Sequence, residues 1–178
     1  MAKKIKKNHA KWILTITILA FCISFVLSGI SEMVIPNLNI FVGIAVLVIF
    51  IFIGVLFDIV GVAITSAIES PFHAKNSKKI KDAKISIKLL KNAARVSSFC
   101  NDVIGDICGI LSGAAGLAIT ANLVKYFSLD NFITTLLVTS IIAALTIGGK
   151  AIGKSIAIKY NIEIVTKFSK ILLFFTRK

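Results

Sequence analysis

Apolar residues run almost unbroken along four stretches of the chain, 12–30, 40–64, 103–124 and 132–148. Each is about 17 to 25 residues, the length a helix rising 1.5 Å per residue needs to cross a hydrocarbon layer about 30 Å thick. The second is the purest, since 40–57 holds nothing more polar than glycine. The fourth is the shortest and carries Thr134, Thr135, Thr139 and Ser140. Those hydroxyls predict a helix packed among others with its polar groups turned inward.

Between the second and third stretches the pattern changes from continuous to periodic. Ser70-Pro71 marks a break, and from Lys79 onward Ile80, Ala83, Ile87, Leu90 and Ala94 fall on one helical face, surrounded by Lys81, Lys84, Lys88, Lys91 and Arg95. This predicts a basic amphipathic helix at the headgroup surface, and the segment after Gly148 repeats the theme with Ile152, Ile156, Ile162, Val165, Phe168, Leu172 and Phe175 among lysines. Both would contact a lipid bilayer and be drawn to anionic lipid.

Composition agrees with the pattern. A chain of 178 residues that is 57% hydrophobic with a mean hydropathy of +0.93 is expected to be an all-α integral membrane protein with about four transmembrane helices and basic amphipathic juxtamembrane helices. Its net charge of +13 would suggest nucleic acid in a soluble protein, yet topology accounts for the lysines and no nucleic acid is expected as a partner. Of the 21 lysines and arginines, all but Lys125 lie before the first stretch, between the second and third, or after the fourth. That places both termini in the cytoplasm of a multi-pass plasma or inner membrane protein, and it requires an even number of spans. The basic start followed by an apolar run reads as a signal anchor, because the run is longer than the core of a cleaved signal and no clear small-x-small cleavage pattern stands around Ser28 to Ser31. Cys22, Cys100 and Cys108 have neither disulfide nor zinc spacing, and His9 and His73 are isolated. No nucleophile and base constellation or phosphate loop occurs, so enzymatic chemistry and a cofactor are not expected.

With eight acids in the chain, their positions carry information. Asp58 lies inside the second span and Asp106 about one turn into the third, entering from the same side, so the two approach one depth. Glu69 would return to the face of Asp58 if that helix continued to Ser70, with Ser66 one turn before it. Carboxylates and hydroxyls are the ligands that magnesium and similar hard cations select. Asp102 is a further candidate metal ligand, with pairing to neighbouring lysines at the headgroup interface as the alternative. Gly105, Gly109 and Gly113 form a doubled small-xxx-small pattern that specifies close helix packing or a homodimer.

The run Thr65-Ser66-Ala67-Ile68-Glu69, the stretch 83–95, and Val103-Ile104-Gly105-Asp106 together resemble the transmembrane domain of the cyclin M and CorC/CorB magnesium and cobalt transporters. That family shows S-x-x-E after its first span, an amphipathic helix, and I-G-N opening the next span. Gly149-Lys150-Ala151-Ile152-Gly153-Lys154-Ser155-Ile156-Ala157 is similar to its G-E-x-x-P-K-S-I-A motif, and the likeness covers about residues 45–175. It implies a homodimer that transports divalent cations, with Ser66, Glu69, Gly105 and Asp106 at the ion site and Gly149 at a kink beside it. Asp106 stands where the family has asparagine, Lys150 where it has glutamate and Gly153 where it has proline. On this reading 1–38 is a basic start plus an extra span, 39–178 is the transporter-like domain, and the cytosolic regulatory domains are missing. The alternative is a non-transporting membrane interaction protein in which an Asp106 to Lys150 pair replaces the ion.

Overall fold

A computed structural model describes residues 2–34 and 39–176. The side chains of the first ten residues, His9 included, lie outside the described set. Among the described residues the chain is helical throughout: α1 (Ala2–Val34), α2 (Ile40–Ser66), α3 (Ser70–Ser77), α4 (Lys81–Lys91), α5 (Ala93–Ser98), a π-helical segment (Phe99–Gly105), α6 (Asp106–Phe127), α7 (Asn131–Lys159) and α8 (Asn161–Thr176). Four stretches are long and apolar enough to cross a membrane: Lys11–Ser31, Ile40–Ser66, Ala93–Phe127 and Asn131–Lys159. The protein is an all-α membrane protein.

The third and fourth spans run further than the hydropathy pattern predicts. The apolar run of the third starts near Val103, but the helical stretch that contains it begins at Ala93. The fourth does not stop at Gly148 but continues to Lys159, because Gly148, Gly149 and Gly153 all keep helical geometry. Its start is set by Asp130, whose Oδ1 accepts the Ile133 N–H at 2.8 Å and so satisfies one of the open donors of the first turn. Of the hydroxyl residues expected to turn inward, Thr134 is buried, Thr135 and Thr139 are half-buried and Ser140 is exposed, and the three threonines each donate to the carbonyl four residues back, at 2.6, 2.7 and 2.7 Å.

Two compact units are present. The first combines residues 1–51 with 106–143. In it α1 packs on α6, and a small core forms from Leu47, Ala115, Ile119 and Ile142. Gly43 and Gly116 make room for it, the first facing Ile119 and the second facing Ile142.

The second unit combines residues 52–105 with 144–178. Its core is Ala63 and Ile64 of α2, Phe72 of α3, Ile87 and Leu90 of α4, Ala157 of α7 and Val165 of α8. The amphipathic segment splits here into separate pieces. Lys79 takes a left-handed turn (φ 56°), so the helix begins at Lys81 rather than Lys79. Asn92 ends it, its backbone N–H reaching Leu89 and Leu90 while its side chain donates to the Lys88 carbonyl at 3.0 Å. Ala83, Ile87 and Leu90 therefore face inward as predicted, and Ala94, beyond the break, is exposed. Buried Ser86 donates to buried Ser169 of α8 at 2.8 Å.

Candidate cation site

The second unit holds an ionisable group where an apolar helix would exclude one. Asp58 is 5% exposed on α2, and its Oδ2 has no hydrogen-bond partner. A buried carboxylate oxygen with no donor beside it carries a desolvation cost of several kcal/mol. One turn further along α2, Gly61 lacks the Cβ that the side chain of Asn101 would otherwise meet, and the Asn101 amide fills that space. Asn101 Nδ2 donates to Ser97 Oγ at 3.3 Å, while its Oδ1 is buried with no partner. Two buried acceptor oxygens without donors thus lie about one helical turn apart along α2.

Asn101 owes its position to the π-helical segment. A π turn adds a residue to each turn and is frequent at functional sites. It runs from Phe99 to Gly105, and its end faces further acceptors: a Cβ added at Gly105 would lie 3.5 Å from the Cys100 carbonyl oxygen and 3.8 Å from that of Gly54. Lys150 Nζ lies 3.7 Å from the same point, so an ammonium sits beside Gly105.

The residues expected from sequence separate into groups. Gly105 and Lys150 are close, as just described. Ser66 is the exposed last residue of α2, and its carbonyl accepts from Asn161 Nδ2 at 3.4 Å. Eight residues separate it from Asp58, which is about 12 Å along the helix axis. Glu69 lies past the end of α2, so the continuous helix that would return it to the Asp58 face does not form; it pairs with His73 at 3.2 Å, both partners about half exposed. Asp102 is exposed. Asp106 is the first residue of α6 and belongs to the other unit. Gly149 and Gly153 lie within α7, against Val55 and Ile59 of α2, with a Cβ at either meeting those side chains at 3.0 and 2.8 Å. Of the α6 stripe, Gly109 and Gly113 face nothing within 4 Å.

Asn101, Gly61 and Gly54 escaped the sequence reading. The signal for Asn101 was a polar residue next to Asp102 at the head of an apolar span, which looks interfacial until the π turn is known. Among the described residues no group of three or more histidine, cysteine or acidic side chains comes together, so any ion held here would rely on amide and carbonyl oxygens besides Asp58. No family of known proteins, no curated protein and no solved structure matches the chain.

Proposed function

We propose that the protein moves divalent cations of the magnesium or cobalt type across a cell membrane, with both termini and the basic helices α3 and α4 on the cytoplasmic side. The observation that carries this is the buried side chain of Asp58, whose Oδ2 has no hydrogen-bond partner, as the sole charged residue of the apolar helix α2. Intramembrane acids are costly and mark ion or proton pathways. The orphan Oδ1 of Asn101 adds a neutral oxygen of the kind that hard cations accept, and the resemblance to the magnesium transporter domain supports the same substrate class.

In proteoliposomes loaded with a magnesium-sensitive dye, the full chain is expected to give saturable flux. Asp58→Asn should lower it by about tenfold or more, since a loss of only ~1.4 kcal/mol in ion binding is a factor of ten. Flux that Asp58→Asn leaves unchanged would refute the proposal. Asp106→Ala in the same assay tests the role that the resemblance assigns to that residue, and loss of flux is expected.

The ammonium beside Gly105 favours a second reading, in which Lys150 is a built-in cation and the protein holds partners rather than ions. Magnesium, manganese and cobalt would then fail to raise the melting temperature of the native chain, whereas Lys150→Met would gain a metal-dependent rise.

A further inference from the structure

On the second unit, α4, α5 and α8 leave a cleft of about 470 Å³ lined by Ile85, Lys88, Leu89, Asn92, Val96 and Leu172. Its size falls within the ~300–1,000 Å³ of pockets that hold small molecules, and apolar side chains dominate its wall. Beside it runs a stripe of charge. Lys81, Lys84, Lys88 and Lys91 are spaced three, four and three residues apart, which aligns them along one face of α4, and all four are exposed. The acid on that helix, Asp82, is buried in the first turn and does not neutralise the stripe.

We infer that this cleft is a binding site for one anionic phospholipid, its acyl chain lying against Ile85, Leu89, Val96 and Leu172 and its phosphate over Lys84, Lys88 and Lys91. Charge complementarity selects the occupant. A neutral apolar ligand would leave the lysines unused, and a soluble anion would leave the apolar wall exposed to water. A phospholipid satisfies both at once. Lys88 belongs to the wall and to the stripe, so it joins the two halves of the site. Lysines near a membrane surface each strengthen attraction to anionic lipid, by about fivefold per residue when fully effective.

The test is native mass spectrometry of the full chain in nonionic detergent with equal phosphatidylglycerol and phosphatidylcholine. The native protein should retain phosphatidylglycerol about fivefold or more over phosphatidylcholine. The triple variant Lys84→Gln, Lys88→Gln, Lys91→Gln should bring that ratio close to one, its helical circular dichroism unchanged because all three residues are exposed. Leu89→Trp, which fills the cleft, should release both lipids, and Val96→Phe serves if Leu89→Trp does not fold. Equal retention of the two lipids by the native chain overturns the site. So does selectivity that survives the triple variant. Selectivity lost with the lysines but untouched by either cleft-filling variant would reduce the effect to surface attraction, and would also overturn it.

Discussion

Asp58 and Asn101 illustrate what a single residue discloses before the fold is known. A lone carboxylate in an apolar run is conspicuous by itself, because few physical roles tolerate it. Asn101 is different, since its importance lies in the missing Cβ of Gly61 on a helix forty residues earlier in the chain. Gly61→Ala should push the Asn101 amide away from α2 and break its bond to Ser97. A loss of about 1–3 kcal/mol, the usual cost of overpacking, is expected in urea unfolding of the detergent-solubilised protein. Ser86 and Ser169 make a second test at this scale. Removing the Ser86 hydroxyl leaves the fully buried Ser169 without that partner, so Ser86→Ala should cost about 1–3 kcal/mol. The double variant Ser86→Ala, Ser169→Ala should be less destabilised than the sum of the single ones, which a double-mutant cycle measures directly.

Helices pack by glycine in this chain, but at a different place from the one its most evident pattern suggests. Gly105, Gly109 and Gly113 have the spacing of a packing stripe, yet the pair that meets a neighbouring helix closely in the second unit is Gly149 and Gly153 on α7, set against Val55 and Ile59 on α2. Both patterns look alike as sequence; only the partner distinguishes them, and the partner lies about a hundred residues away. Gly153→Leu should therefore destabilise by about 1–3 kcal/mol or more, whereas Gly109→Ala should be neutral or stabilise by about 0.5–1 kcal/mol through helix propensity. Thermal unfolding of the two variants side by side checks both. The amphipathic segment shows the same limit. Its buried face was legible from Ala83, Ile87 and Leu90, while its ends were not, because the Lys79 turn and the Asn92 cap depend on local backbone bonding that periodicity does not register.

For the whole molecule, number of spans and class were readable from length and hydropathy, since the bilayer imposes a single requirement on every crossing segment. Orientation rests on charge. Single cysteines placed at Lys79 and Ser128, in a background with Cys22, Cys100 and Cys108 changed to alanine, are expected to react with an impermeant thiol reagent from opposite faces of the membrane, Lys79→Cys from the cytoplasmic one. Both positions are tight left-handed turns between helices, with φ of 56° and 52°, and a label there should leave the packing intact. The composition of α2 also bears on how the chain enters the bilayer at all. Insertion of an acid near the middle of a helix carries a penalty of about 2.5–3.5 kcal/mol, and each leucine, isoleucine, phenylalanine or valine returns roughly 0.3–0.6. With its 27 residues, Asp58 the sole charged one, α2 has enough apolar surplus to be accepted by the insertion machinery unaided. The carboxylate can thus be delivered into the membrane before any neighbouring helix arrives to surround it.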